Sequence, residues 1–214
     1  MKVLVAGANG NTGRRVVSLL GKNGFEPYAM VRKKEQMEKM SDLGGKPVLG
    51  DLEEDLGEVV KGMDAIIFAA GSGGNTGPEK TIDIDQNGAI KLIQEAENKG
   101  VPRFIMLSAI SADNPSGGPE KLQHYLEAKH NADEALKASN LLYTILRPGT
   151  LNDDPSSGIR AAASLDDPTG QISRQDVAKA LVECLNIEST QGKIIEMQGG
   201  NLNVQEALLD ATKS

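Results

Sequence analysis

Tyr125 and Lys129 stand four residues apart in Glu120-Lys121-Leu122-Gln123-His124-Tyr125-Leu126-Glu127-Ala128-Lys129, which patterns as a helix. That spacing puts both side chains on one face. A phenol with a pKa of about 10 exchanges protons poorly at neutral pH. An ammonium beside it stabilises the phenolate, lowers that pKa, and lets the tyrosine pass a proton to or from a substrate oxygen. Lys129 can also hold a ribose. Such a pair arises by chance in many helices, so it carries weight only with other signals. A second signal lies near the N-terminus. Gly7-Ala8-Asn9-Gly10-Asn11-Thr12-Gly13 falls between the apolar run Val3-Leu4-Val5-Ala6 and a helical pattern opening at Arg14. A glycine-rich turn from a buried strand into a helix aims backbone N–H groups and the positive helix end at an anion. We expect Gly7, Asn9, Gly10, Asn11, Thr12 and Gly13 to cradle the pyrophosphate of a dinucleotide.

The end of the second strand bears on which dinucleotide. A site for the unphosphorylated ribose usually places Asp or Glu about 20 residues past the glycines. Here the chain reads Met30-Val31-Arg32-Lys33-Lys34. A carboxylate would repel a 2′-phosphate, whereas Arg32, with Lys33, can grip one. NADP is therefore expected, with NAD as the alternative. Arg14 either adds to the phosphate grip or faces water. Asp51 and Leu52, in the turn after the third strand, are expected beside the adenine, unless Asp51 caps the acidic stretch that follows. Ala69, Ala70 and Gly71 end the fourth strand with small residues that leave room for the dinucleotide backbone.

These residues need a scaffold. Short apolar runs read as strands at Val3–Ala6, Glu26–Val31, Pro47–Leu49, Ala65–Ala69, Arg103–Leu107, Leu142–Leu146 and Lys193–Met197. Amphipathic helices are predicted over Gly13–Asn23, Lys34–Leu43, Leu56–Lys61, Lys80–Lys99, Glu120–Ser139, Arg174–Asn186 and Val204–Ala211. Strands apolar on both faces that alternate with helices predict an α/β doubly wound parallel sheet with helices on both faces. The expected order is 3-2-1-4-5-6, with the seventh strand at an edge and the ligand at the switch point between strands 1 and 4. Gly71–Gly77, Ser111–Pro119 and Gly149–Gly170 read as loops at strand carboxyl ends, where substrates are held.

Together, the Gly7–Gly13 loop, the tail of strand 4, the Tyr125/Lys129 pair and Leu146-Arg147-Pro148-Gly149 resemble the short-chain dehydrogenase/reductase superfamily. The resemblance is to its compact atypical branch of NAD(P)-binding, epimerase/dehydratase-like and NmrA-like proteins, and it covers residues 1 to about 200. It implies a Rossmann-like fold, pyrophosphate on Gly7, Gly10 and Gly13, and NADP on Arg32. It also implies proton transfer by Tyr125 and Lys129, with Pro148 and Gly149 beside the nicotinamide. The sequence departs from the family where a catalytic hydroxyl usually follows strand 5. There Ala109 stands in Leu107-Ser108-Ala109-Ile110-Ser111, and Ser108 or Ser111 is left to substitute. Arg147 is expected to pair with a carboxylate or carbonyls. Asp85 is expected to be a helix-start acid favourable to the dipole, with a place facing the active site as the alternative. Ser173 is expected to cap a helix together with Asp176. His124 and His130 lack the spacing of a zinc site and are expected to pack or face solvent.

The 214 residues suffice for one domain over 1–214, with 149–173 and 188–214 forming a small substrate-side region. A net charge of −7 argues against a nucleic-acid surface. One cysteine, Cys184, excludes a disulfide framework and suggests buried packing. Met1-Lys2 runs straight into the first strand and no apolar stretch reaches spanning length, so a cytoplasmic protein without membrane partners is expected. Monomer and homodimer are both compatible with the sequence. The expected function is an NADP(H)-dependent oxidoreductase acting on a small carbonyl or quinone-like substrate. Tyr125 is its proton donor, Lys129 its orienter, and Ser108 a substrate hydrogen-bond donor. The competing readings are a non-catalytic NAD(P)-binding redox sensor, a sugar-nucleotide epimerase or dehydratase, and a flavin reductase. Few aromatics are available to stack a flavin, and the region after Gly149 is small for a nucleotide sugar.

Overall fold

Alternate residues of the first strand feed two different cores. Val3 and Val5 enter one apolar cluster with Val16, Val17 and Leu20, while Leu4 and Ala6 enter another with Ile66, Phe68 and Leu92. A strand covered on both faces belongs to the interior of a three-layer α/β sandwich. A computed structural model of the chain, which describes residues 1–73 and 77–213, has this architecture.

In chain order the elements are β1 (Lys2–Ala6), α1 (Asn11–Lys22), β2 (Glu26–Val31), α2 (Met37–Asp42), β3 (Lys46–Leu49), α3 (Gly57–Val60), β4 (Ala65–Phe68) and α4 (Pro78–Thr81). A π-helical stretch, Ile82–Gly88, joins α4 to α5 (Ala89–Lys99). Then come β5 (Arg103–Leu107), α6 (Gln123–Lys137), β6 (Leu142–Pro148), β7 (Thr150–Asn152), β8 (Ile159–Ala162), β9 (Gln171–Ser173), α7 (Arg174–Glu183), β10 (Lys193–Gly199) and α8 (Val204–Ala211).

The main sheet runs β3-β2-β1-β4-β5-β6-β10-β8, parallel except for the antiparallel β8. The expected 3-2-1-4-5-6 order holds, and so does the switch point between β1 and β4, which pair in register from Val3↔Ala65 to Ala6↔Phe68. The seventh expected strand, β10, is not at an edge. It pairs with β6 on one side and β8 on the other. β8 escapes a periodicity reading because its four residues, Ile-Arg-Ala-Ala, lie in a stretch rich in Gly, Asp and Ser. β7 and β9 form a separate two-stranded parallel ribbon inside and just after the stretch predicted as loop. Of the loop predicted at Gly71–Gly77, residues 74–76 lie outside the described residues.

Cys184 is buried, and burial pushes its thiol up to about 12, so it is inert packing, as expected. Ser173 caps α7 by accepting the Asp176 N–H at 3.0 Å. Among the described residues, no helix is long and apolar enough to cross a membrane, and no cluster could hold a metal ion.

Candidate active site

A cleft of about 890 Å³ opens at the carboxyl ends of β1 and β4. One end is built by the glycine-rich turn. Gly7 sits at φ +81°, and a Cβ there would stand 2.5 Å from the Ala70 backbone. Only glycine combines that left-handed geometry with so close an approach. The Gly10 N–H donates to the Gly7 carbonyl at 2.9 Å, which turns the chain into α1. Gly13 lies outside the cleft wall. A Cβ there would overlap the Gly7 carbonyl oxygen, so this glycine lets helix and strand pack. No side chain caps α1, whose first N–H groups and positive end are left for an anion. Gly7, Asn9, Gly10, Asn11 and Thr12 line the cleft. Arg14 lies off the cleft wall. It donates to Asn9 Oδ1 at 2.9 Å and steadies that residue.

Toward β2, exposed Arg32 lines the cleft. Lys33 does not, and its backbone N–H donates to Gln36 Oε1. Asp51 also lies off the wall. Its carboxylate accepts the Glu53 N–H at 3.1 Å, the capping alternative, while Leu52 lines the cleft. Ala69, Ala70 and Gly71 line it as expected.

The chemistry-bearing pair lies on the opposite wall. Tyr125 and Lys129 project from α6 into the cleft, with the Lys129 Nζ 5.7 Å from the Tyr125 ring centroid and 5.6 Å from that of Phe68. Lys129 is buried, donates to the Leu107 carbonyl at 3.2 Å, and stands 3.0 Å from Asp85 Oδ1. Asp85, fully buried, accepts the Ser72 N–H at 2.9 Å through its other oxygen. The expectation of a dipole acid at a helix start is overturned. Asp85 lies inside the π-helical stretch, whose widened turn alters which residues face the cleft.

This pairing also corrects the expected phenol. Burial pushes the Tyr125 pKa up, and the pull of Lys129 downward does not offset it, with Asp85 and Asp133 adding to the rise. For Lys129, burial acts to lower the pKa, but the Asp85 carboxylate holds it above the usual lysine value.

Ser108 lines the cleft, yet its hydroxyl donates to Asp133 Oδ2 at 2.8 Å. Its one proton is spent on the protein, so it is not free to donate to a substrate, which corrects the expected role. Asp133 is buried and also accepts from Arg147 Nε at 3.0 Å. Burial pushes its carboxyl up despite the arginine. Arg147, which reaches Asp113 at 3.5 Å as well, is the loop-holding arginine expected. Ser111, at φ +67°, lies off the wall, whereas Ala109 is on it. Pro148 and Gly149 line the cleft, and the Ile110 N–H to Pro148 carbonyl bond at 3.0 Å ties the two loops together. His130 Nδ1 lies 2.8 Å from the Ala112 carbonyl, a packing contact, and His124 is exposed at the cleft rim.

The sequence profile of the NAD(P)H-binding family matches residues 7–188. The chain belongs to that family. It is 45% identical over 212 residues to the uncharacterized sugar epimerase YhfK of Bacillus subtilis, covering 97% of this chain and 99% of YhfK. A solved structure from Bacillus halodurans, provisionally named an NAD-dependent epimerase/dehydratase, matches at a TM-score of 0.96 and 43% identity over 98% of this chain and 99% of that one. The oxidoreductase ylbE of Lactococcus lactis matches at a TM-score of 0.90 and 32% identity over 100% of this chain and 98% of that one. The resemblance to the atypical short-chain dehydrogenase/reductase branch is thus borne out.

Membership of an NAD(P)H-binding family agrees with the glycine cradle and uncapped helix at one end of the cleft. The site residue that sequence reasoning ranked below a dipole acid is Asp85. The acids of Ile82-Asp83-Ile84-Asp85 alternate with isoleucines, which hints that one acid faces inward without saying which.

Proposed function

We propose that the chain is an NADP(H)-dependent oxidoreductase that reduces a small carbonyl or quinone-like substrate. The observation that carries this is the sharing of one cleft by Tyr125, Lys129 and the anion cradle at Gly7–Thr12. When bound, the reduced nicotinamide supplies a hydride to the carbonyl carbon. Tyr125 gives its proton to the carbonyl oxygen, and Lys129, kept charged by Asp85, stabilises the phenolate that remains. Its seat against the Leu107 carbonyl fixes where that charge lies. Pro148 and Gly149, which line the cleft, would stand beside the nicotinamide. Arg32, which has no carboxylate partner among the described residues, supports NADP over NAD.

Consumption of NADPH with a panel of aldehydes, ketones and quinones tests this reading. Turnover is expected for the native chain and a drop of about 10²–10⁴-fold for Tyr125→Phe, the usual worth of a positioned acid. Equal rates for the two proteins would sink the mechanism.

A second reading, a redox sensor that binds the cofactor without turnover, is favoured by Ala109 and by the Ser108 proton directed at Asp133. Tight binding of NADPH by calorimetry with no turnover of any panel member would select it.

A further inference from the structure

The chain carries a net charge of −7, yet the charged residues on the cleft wall are Arg32, Lys80, Lys121, Lys129 and Arg174 against the single acid Asp85. Most of these cations are answered. Lys80 meets Glu53 at 2.7 Å, Lys129 meets Asp85 at 3.0 Å, and Arg174 shares Asp153 with Arg15. Among the described residues, Arg32 and Lys121 have no ion-pair partner, and they stand on the walls built by β2 and by the start of α6 respectively. The cofactor phosphate proposed above answers Arg32. Neither the described residues nor the cofactor reading answers Lys121.

Lys121 lies four residues before Tyr125, in a tight helical turn over Glu120–Leu122 that leads into α6. That separation is about 6–8 Å along the axis, close to the span of a para-substituted aromatic ring. Apolar groups line the same cleft. Leu122 is 48% exposed on the cleft wall, and Ile110 and Leu151 join it. An unanswered cation, apolar side chains and a proton donor lining one cleft describe a ligand with the same three parts.

We infer that the substrate is an apolar carbonyl compound carrying a carboxylate, and that Lys121 receives the carboxylate while Tyr125 addresses the carbonyl. This rests on the oxidoreductase reading for the role of Tyr125, but binding tests it without turnover. The probes are 4-carboxybenzaldehyde and benzaldehyde. They are offered to the full chain loaded with NADP, with affinity read by saturation-transfer NMR, and to the chain with NADPH, with kcat/KM read by absorbance.

The charged aldehyde is expected to be preferred about fivefold, the upper range for a solvent-accessible ion pair. The preference should shrink on adding salt, vanish in Lys121→Ala and return in Lys121→Arg. Preferential binding that depends on Lys121, without turnover of either aldehyde, would uphold the carboxylate seat at Lys121 and overturn the assignment of the carbonyl to Tyr125. Equal affinity for the two aldehydes, absence of binding by both, or a preference that survives Lys121→Ala would overturn the inference itself.

Discussion

Lys129 Nζ lies 3.0 Å from Asp85 Oδ1, with both side chains removed from water. The two come from different elements, α6 and the π-helical stretch before α5, so the pair ties together the two segments that wall the tyrosine. Removing one partner of a buried pair leaves the other charge uncompensated. Asp85→Asn should therefore cost about 3–5 kcal/mol in chemical denaturation. The sign with pH follows from the raised Lys129 pKa. A lysine whose folded pKa exceeds its unfolded value stabilises fully below the unfolded value, about 10.4, and loses that contribution as pH rises through the folded one. The gap between native and variant chains should be full at pH about 7 and close above about 10.4. A constant gap across that range would mean that the loss is packing rather than charge.

The raised phenol of Tyr125 changes the pH profile expected from a simple tyrosine and lysine pair. A general acid works in its protonated form, and burial, reinforced by Asp85, favours that form. Carbonyl reduction should therefore stay flat through neutral pH and decline only above the ordinary tyrosine value of about 10. The measurement is kcat/KM against pH with NADPH saturating. A descending limb near neutrality that disappears in Tyr125→Phe would show that the lysine wins over burial.

How far the sequence reveals this site depends on the range of the forces involved. The β1–α1 turn is largely local: Gly7 takes the left-handed φ of +81° that opens it, and Gly13 leaves room for the Gly7 carbonyl six residues earlier. Tyr125 and Lys129 are legible because a regular helix fixes which residues share a face. Asp85 is not, because its facing depends on a π-helical stretch. Ser108 is legible as a hydroxyl beside the usual place, but its partner Asp133 is 25 residues away, and only the fold decides where the proton points. The short strands β7, β8 and β9 are set by pairing with distant segments, so their three or four residues carry no period of their own.

Gly13 offers a test of packing at a residue that is itself off the cleft wall. A Cβ there would overlap the Gly7 carbonyl oxygen and press on the Ala8 backbone at 2.9 Å, neither of which is a flexible side chain. Gly13→Ala must push α1 away from β1, at a cost of about 1–3 kcal/mol for overpacking. It should weaken dinucleotide binding as well, because the Gly7 carbonyl that is displaced also accepts the Gly10 N–H. Thermal denaturation with and without NADPH separates the two effects: the variant should melt lower in both conditions and gain less from the cofactor. A variant as stable as the native chain would mean that the helix has room which the geometry denies it.

Arg32 provides the sharpest separation of NADP from NAD, because it lines the cleft at the end of β2 and is free of carboxylate partners among the described residues. A guanidinium on a phosphate is a charge-assisted contact worth about 1.5–3 kcal/mol. At about 1.4 kcal/mol per decade, losing it should raise the NADPH Kd by about tenfold or more in Arg32→Ala. NADH has no 2′-phosphate, so its Kd should move by less than about twofold on the same scale. Lys33, off the cleft wall, serves as the internal control, and Lys33→Ala should change neither affinity appreciably. Calorimetric titration of both cofactors into the three proteins reads all of these. If Arg32→Ala weakens NADH as much as NADPH, the arginine shapes the adenosine end for either cofactor, and the preference for NADP has no support at this position.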